Sequence, residues 1–175
     1  MSSPNSHSAR SARFWWAGRE TVTDQNNATG CYPRAPWVAV GAVVFKDDRV
    51  LLVRRGKAPA CGQWAIPGGS VLLGETLQAA AEREIWEETG IRIAAGKPVY
   101  TFDVVDRDAK NRIRYHYVIV DLEATYRSGA VRPGDDALEA RWVTAHELNE
   151  MEVSPPTRQL LSRHYAFGSE AQGDI

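Results

Sequence analysis

Residues 69–91 read GSVLLGETLQAAAEREIWEETGI, and this stretch decides most of what the chain can be. From Leu77 onward, apolar side chains recur at the i, i+3, i+4 and i+7 spacing of an amphipathic helix, but Glu84 and Glu88 interrupt that stripe. A solvated acidic face would lie opposite the apolar stripe, not inside it. The pattern therefore predicts a helix over about residues 75–89 with acids on its core-facing side.

Three carboxylates of this helix belong to Glu84, Glu87 and Glu88, which stand at the i, i+3 and i+4 positions of one face. Their Cβ atoms lie about 5 to 6 Å apart, so the charges repel one another, and partial burial adds a desolvation cost. A bound cation reverses both penalties. Since no Cys or His stands at ligand spacing in this stretch, the pattern predicts oxygen ligation of magnesium or manganese rather than zinc.

The stretch resembles the Nudix box, whose pattern is G-x5-E-x7-R-E-U-x-E-E-x-G-U with U a bulky aliphatic residue. Every specified position is met, by Gly69, Glu75, Arg83, Glu84, Ile85, Glu87, Glu88, Gly90 and Ile91. With the preceding WAIPGG at 64–69, the resemblance extends over roughly residues 37–167 and is greatest to ADP-ribose pyrophosphatase-like members of the Nudix hydrolase family. It implies that water attacks a phosphorus of a pyrophosphate linkage, because divalent cations neutralise the phosphoryl oxygens.

The resemblance also implies a role for each box residue. The metal ligands would be the Gly69 carbonyl, Glu84, Glu87 and Glu88. The catalytic residues would be Glu84, Arg83 and Glu88, with Glu84 or a loop acid as the general base. Arg83 would hold the catalytic glutamate through its planar guanidinium, and Glu75 would support it at the helix start. The alternative for Arg83 and Glu75 is an exposed ion pair worth less than about 1 kcal/mol.

Three residues outside the box are predicted to contact substrate. Arg54 and Arg55 end an apolar strand and could reach a phosphate, although strand alternation cannot tell which of the two points inward. Asp136 stands six positions before Trp142, where many Nudix members carry an additional glutamate. Nearby alternatives are Asp135 and Glu139. The other interpretation of a loop acid beside Pro133 and Gly134 is a turn residue.

The identity of the substrate stays open between two enzymatic readings. The first is a nucleoside diphosphate derivative of the ADP-ribose type, and the second is a modified or oxidised nucleoside triphosphate that would yield a monophosphate and pyrophosphate. Where ADP-ribose-specific members often carry a proline after the box, this chain has Asp106 and Arg107. A third reading, a ligand-sensing protein without turnover, is disfavoured because every box acid is present and the N-terminal extension shows no helix-turn-helix pattern.

Composition limits the broad class of protein. With 175 residues, 43% hydrophobic and 25% charged, the chain is typical of one globular domain. A net charge of -1 gives no electrostatic case for a nucleic-acid polymer as partner, and the family resemblance implies a small-molecule nucleotide substrate. The longest apolar stretch, residues 37–45, is too short to cross a membrane, so a cytoplasmic location is expected. Cys31 and Cys61 are expected to be free thiols, with a disulfide between them as the alternative.

Alternating elements predict an α+β fold, a Nudix-like α/β/α sandwich with a mixed β-sheet. The predicted strands are 37–45, 49–55, 99–105, 113–124 and 139–143, and the predicted helices are the box helix, a short helix capped by Thr144 and Glu147, and one from Pro155 or Pro156 to Phe167.

The predicted domain organisation is a flexible N-terminal extension over 1–36, a Nudix hydrolase domain over 37–168 and a C-terminal tail over 169–175. Residues 1–36 have no apolar period, which is typical of a loosely attached segment. The three aromatic residues at 14–16 are seldom left in water, so they would dock on the domain or on a second subunit of a homodimer. A disordered tail is the alternative.

Overall fold

The computed structural model describes residues 32–57, 60–134 and 137–168. The strands are β1 Trp37–Lys46, β2 Arg49–Arg55, β3 Trp64–Ala65, β4 Gly68–Ser70, β5 Arg92–Arg107, β6 Ile113–Ser128 and β7 Ala137–Thr144. The helices are α1 Leu77–Thr89, α2 Ala145–Glu150 and α3 Pro155–Tyr165. Across these ranges no helix is both long and apolar enough to cross a membrane.

All of these strands belong to one mixed sheet. Its main order is β3-β2-β1-β6-β5, and β4 and β7 pair with β1 and β2 respectively. The neighbours β1 and β6 run parallel, with Trp37–Phe45 opposite Tyr117–Thr125, while the other pairings are antiparallel. This confirms the predicted mixed sheet. The β1–β2 hairpin, with its turn at Asp47 and Asp48, is also confirmed.

Helices cover both faces of the sheet, as predicted for the α/β/α sandwich. On one face, Val40 and Ala42 of β1 pack in a buried cluster with Ile85 of α1. On the other face, Val43 packs with Leu148 of α2 and with residues of α3. Successive residues of β1 thus face opposite cores, because side chains alternate across a strand. This burial on both faces explains the nearly continuous apolar run at residues 37–45.

The ends of the helices follow from local capping chemistry. Thr76 caps α1 by accepting a hydrogen bond from the Ala79 N–H at 3.1 Å, so the helix begins two residues later than position 75. It ends at Gly90, which adopts the predicted left-handed conformation with φ 68°. The capping box between Thr144 and Glu147 is confirmed at the start of α2.

The strands extend further than the sequence predicted. Both β5 and β6 contain 16 residues, because antiparallel pairing continues through register shifts on either side of Pro98. Two short strands, β3 and β4, were not predicted. They form because β2 and β1 supply pairing partners for residues around Trp64 and Gly69 that have little strand pattern of their own.

The chain enters the described region beside the β5–β6 hairpin. The Tyr32 N–H donates to the Arg114 carbonyl at 2.8 Å, and its hydroxyl donates to Asp108 at 3.1 Å. Residues 1–31, which include the aromatic residues at 14–16, and residues 169–175 lie outside the described residues, so the predicted domain boundaries stay predictions. Cys61 is a free, exposed thiol, and Cys31 also lies outside the described residues.

Candidate active site

Arg83 of α1 is the centre of the ionic network formed by the box residues. It binds both oxygens of Glu75, through Nε at 2.8 Å and Nη2 at 2.9 Å. Its Nη1 donates to Glu84 at 2.7 Å and to Glu87 at 3.0 Å, and its Nη2 also donates to the Ser70 carbonyl at 3.0 Å. These contacts use all five donors of a guanidinium. The network therefore fixes the loop that precedes α1 to the helix itself.

The network differs from an isolated exposed ion pair, the alternative raised for Arg83 and Glu75. Their side chains are 24% and 20% exposed, and the contact is bidentate. Hydrogen bonds from Arg83 and from the Leu72 N–H lower the pKa of Glu75 to about 2. The pKa of Arg83 is raised in return, mainly by Glu75. Glu75 lies just before the helix, where it supports Arg83.

Glu84 lies against Gly69 of β4. Its side chain is 15% exposed, and burial raises its pKa, although Arg83 opposes the shift and Glu87 adds to it. A Cβ on Gly69 would overlap the Glu84 carboxylate, so only glycine lets the backbone approach this closely. The structure thus brings Gly69 and Glu84 into direct contact, as the box pattern required.

Glu88 is held to the same strand at Gly68, one residue before Gly69. Its Oε2 accepts a hydrogen bond from the Gly68 N–H at 2.9 Å. Gly68 in turn pairs with Gly41 of β1, so Glu88 is fixed relative to the sheet. The carboxylates of Glu84 and Glu88 therefore both meet the backbone of β4, at Gly69 and Gly68 respectively.

The donor chemistry of this segment fits a hard divalent cation. Carboxylate and carbonyl oxygens are the donors that the proposed ligand residues of the box present, and burial raises the pKa of Glu84 while the charge of Glu87 adds to the shift. In the structure, Arg83 and the Gly68 N–H occupy the carboxylates of Glu84, Glu87 and Glu88. Within the described ranges, no three side chains of His, Cys, Asp or Glu converge as a preformed metal cage.

Arg54 and Arg55 are the last two residues of β2. Arg54 donates to Glu139 of β7 at 2.9 Å and to the Gly62 carbonyl at 3.0 Å. Glu139, one of the alternative loop acids, is therefore an ion-pair partner of Arg54. Arg55 lies opposite Ala137 in the β2–β7 ladder. The arginines thus occupy the strand that faces the start of β7.

Asp136 and Asp135 lie outside the described residues, so their positions stay predictions. The segment that leads to them is fixed against α1. The Gly134 N–H donates to the backbone carbonyl of Glu88 at 3.0 Å, and the Arg132 N–H donates to that of Thr89 at 3.0 Å. A Cβ on Gly134 would overlap the Glu87 carbonyl, so the loop and the helix end are closely packed.

One acidic residue was missed by sequence reasoning. Asp121 of β6 is only 5% exposed, and its carboxyl lies against Gly41 of β1. Burial raises its pKa to about 7. The signal in the sequence was a lone acid within the apolar run YVIVDL at 117–122, which was interpreted only as a strand.

Comparison with known proteins identifies the family. The model of the NUDIX domain matches residues 35–164. An ADP-ribose pyrophosphatase from Methanocaldococcus jannaschii is 34% identical over 116 residues, which cover 66% of each chain. The chain thus spans just under two thirds of the length of that relative.

Solved structures agree with this assignment. A MutT NUDIX hydrolase from Burkholderia pseudomallei has 32% identity and a TM-score of 0.59, covering 74% of this chain and 98% of the other. A bifunctional NMN adenylyltransferase/ADP ribose pyrophosphatase from Francisella tularensis, solved with AMP and a manganese ion, has 25% identity and a TM-score of 0.58, covering 73% of this chain and 40% of the other. The chain belongs to the Nudix hydrolase family.

Proposed function

We propose that this Nudix hydrolase cleaves the pyrophosphate linkage of a nucleoside diphosphate derivative of the ADP-ribose type. The observation that carries the proposal is the contact of Glu84 and Glu88 with Gly68 and Gly69 of β4, in which Glu84 is also held by the guanidinium of Arg83. The similarity to an ADP-ribose pyrophosphatase favours this substrate class. Nothing in the fold demands another reaction of the box residues.

Nudix hydrolases generally need divalent metal ions. For this chain we propose Mg²⁺ or Mn²⁺, with the Gly69 carbonyl, Glu84, Glu87 and Glu88 as ligands. When bound, such an ion supplies neutralisation of the phosphoryl charge and acidification of water. To bind the ion, Glu84 and Glu87 would first give up part of their contact with Arg83. Metal binding would therefore depend on where the Arg83 guanidinium lies.

The chain's own residues supply orientation and proton transfer. Glu84 is the proposed general base, the role that the match to the box pattern implies for it, and its half-buried carboxylate lies against Gly69. Arg83 orients Glu84 through the 2.7 Å hydrogen bond while Glu75 fixes Arg83 from the other side. Glu88 holds the Gly68 N–H, which fixes the backbone beneath the substrate phosphates.

Substrate phosphates would be bound from the β2 side. Arg54 and Arg55 are the proposed cations, and Asp136, which precedes β7 in the sequence, is the proposed loop acid. The salt bridge of Arg54 with Glu139 is exposed on both sides, with side-chain exposures of 44% and 52%, so it can be exchanged for a phosphate at little cost.

The test is hydrolysis of ADP-ribose by the wild type, Glu84→Gln and Glu88→Gln with saturating magnesium. We expect the wild type to release AMP and ribose 5-phosphate, and each variant to lose about 100-fold or more in kcat, because a removed charge no longer stabilises the transition state. Glu82→Gln is the matched control, since Glu82 is an exposed residue of α1 that accepts a hydrogen bond from the Ala95 N–H.

Two outcomes would contradict the proposal. Unchanged turnover in both variants, with the folded state intact by circular dichroism, would remove the site assignment. Release of inorganic pyrophosphate from nucleoside triphosphates, without cleavage of ADP-ribose, would leave the box chemistry in place and establish the alternative substrate class.

A further inference from the structure

Trp86 of α1 occupies a position of the box that the pattern leaves unspecified, next to Glu87. The residue is 37% exposed, and two guanidinium groups lie over its indole ring. The Arg92 guanidinium is 4.2 Å from the ring centroid and that of Arg132 is 5.6 Å away, both within the range of a cation–π attraction. Arg92 begins β5 directly after the helix, whereas Arg132 lies in the segment between β6 and β7. Trp86 therefore joins α1 to a segment far along the chain.

The side chain of Arg132 reaches Trp86 by crossing the end of the helix. A Cβ on Gly90 would lie 2.8 Å from Arg132 Nε and 2.9 Å from Arg132 Cγ. Gly90 also has the left-handed conformation that ends α1, with φ 68°. Glycine at this position thus serves both the helix end and the close passage of the Arg132 side chain.

The backbone of the same segment completes the hydrogen bonding of the helix end. The N–H groups of Arg132 and Gly134 donate to the carbonyls of Thr89 and Glu88, both at 3.0 Å. The last carbonyls of a helix have no partner within the helix itself. Residues 129–134 supply two of the missing donors, so their loss would expose the last turn of α1 to fraying.

This last turn carries two of the proposed metal ligands. Glu87 accepts a hydrogen bond from Arg83 at 3.0 Å, and Glu88 accepts one from the Gly68 N–H at 2.9 Å. A displaced helix end would shift both carboxylates relative to β4 and to Arg83. Groups that orient metal ligands from outside the coordination shell affect the affinity for the metal. The contact between residues 129–134 and α1 therefore bears on cation binding.

We propose that Trp86 and Arg132 are positioning residues, whose contact holds residues 129–134 on the end of α1 and thereby fixes Glu87 and Glu88 for binding a divalent cation. The inference rests on the proposed function, which assigns these two glutamates to the metal. Because the role is exerted through one contact, removal of the indole and removal of the Arg132 guanidinium should have the same consequence. A guanidinium that lies on the indole from outside the segment should matter little.

The experiment measures Mn²⁺ binding to Trp86→Ala, Arg132→Ala and Arg92→Ala, each in the full chain and without nucleotide. The electron paramagnetic resonance signal of free Mn²⁺ gives the bound fraction, so no turnover is needed. Arg92→Ala is the matched control, because it removes the nearer guanidinium from the same indole and leaves residues 129–134 unchanged. Trp86→Phe is the conservative variant, since a phenyl ring keeps an aromatic face for Arg132.

We expect the Kd for Mn²⁺ to rise about tenfold in Trp86→Ala and in Arg132→Ala, and by less than about twofold in Arg92→Ala. The double variant of Trp86 and Arg132 should bind no more weakly than either single variant, because both changes remove one contact. Trp86→Phe should recover most of the affinity. A purely structural role would lower the thermal stability and leave the Mn²⁺ affinity of the folded protein unchanged.

Unchanged Mn²⁺ affinity in folded Arg132→Ala would overturn the inference, as would equal losses in Arg132→Ala and Arg92→Ala. Tighter binding in Arg132→Ala would also overturn it, since the guanidinium would then act by repelling the cation. If Trp86→Ala fails to fold, Arg132→Ala decides alone, because this exposed side chain lies outside the core.

Glu88→Gln in the same titration separates this inference from the proposed function. Weaker Mn²⁺ binding in Glu88→Gln, with wild-type affinity in Arg132→Ala, would reject the positioning role and keep the metal site. Absence of ADP-ribose hydrolysis by the wild type, with the expected Mn²⁺ affinities intact, would reject the proposed substrate and keep the positioning role.

Discussion

Glu75 and Asp121 are both carboxylic acids of this fold, but their surroundings move their pKa values in opposite directions. Arg83 and a backbone N–H lower the pKa of Glu75 to about 2. Burial without a partner raises the pKa of Asp121 to about 7. The first acid is permanently charged and serves to position Arg83. The second can hold a proton near neutrality and is suited to hydrogen bonding.

The comparison shows that partners decide the role of an acid more than its residue type does. The box acids share one guanidinium, and removal of that group would leave three like charges together on a loop and helix. The carboxyl of Asp121 lies against Gly41 in an apolar environment, so the free energy of the folded state depends on whether this carboxyl is charged. Three perturbations test this difference, and they are given in order of expected effect.

The largest effect is expected for Arg83→Ala. Loss of the guanidinium frees Glu75, Glu84 and Glu87 to repel one another, so we expect kcat for ADP-ribose to fall by about 100- to 1,000-fold. The kcat of Arg83→Lys should lie between those of Arg83→Ala and the wild type, because an ammonium keeps the charge but cannot make the bidentate contact with Glu75. Steady-state kinetics measures both.

The control for this prediction is Arg112→Ala, which removes an exposed arginine that pairs with Asp108 at 2.7 Å near the β5–β6 turn. It should change kcat less than about twofold, since exposed pairs contribute under about 1 kcal/mol. An equal loss of kcat in Arg83→Ala and Arg112→Ala would contradict a specific role of the Arg83 network in the reaction.

A smaller effect is expected for the pH dependence of stability through Asp121. Below about pH 4 the carboxyl is protonated in both the folded and unfolded states. Between pH 4 and pH 7 the unfolded chain ionises but the folded chain does not, so the stability falls as the pH rises. The largest loss of unfolding free energy that this pKa shift can cause is about 4 kcal/mol. Structural relaxation around the charged carboxylate should reduce the loss to about 2 kcal/mol.

Urea unfolding at pH 5 and pH 8 measures this linkage in the ligand-free protein. The stability that Asp121→Asn gains over the wild type should be larger at pH 8 than at pH 5. Glu123→Gln, whose carboxylate is exposed, should show no such difference. A stability gain by Asp121→Asn that is the same at both pH values would contradict a raised pKa.

The smallest effect is expected for Gly41→Ala. The added methyl group overlaps the Asp121 carboxyl and crowds Ile66, so we expect a loss of about 1 to 2 kcal/mol from overpacking. In an Asp121→Ala background the same substitution should cost less, because the overlapping atoms are gone. A double-mutant cycle in thermal unfolding measures the coupling between Gly41 and Asp121. Additive losses of stability would contradict a direct contact between the two residues.

Much of the fold could be predicted because its signals are local. The end of α1 at Gly90, the capping box at Thr144 and the β1–β2 hairpin depend on residues close in the chain. The extra length of β5 and the short strands β3 and β4 could not be predicted, since they depend on pairing with distant strands.

The candidate site divides in the same way. The box pattern predicted that Gly69 and the carboxylates of α1 belong together, and the structure brings Glu84 against Gly69. The roles of these residues, of Arg54 and Arg55, and of Asp136 stay predictions for kinetics to test. Asp121 gave only a weak signal, because a single acid in an apolar strand does not reveal what lies on the neighbouring strands.

The sequence by itself determined the family, the helix that carries the acids and the oxygen chemistry of the proposed metal site, because spacing along one helix fixes which side chains share a face. Tertiary structure alone decided that Arg83 joins three carboxylates and that Asp121 meets Gly41 in the interior. Burial and charge pairing across strands depend on residues far apart in the chain, and these interactions set the pKa of each acid.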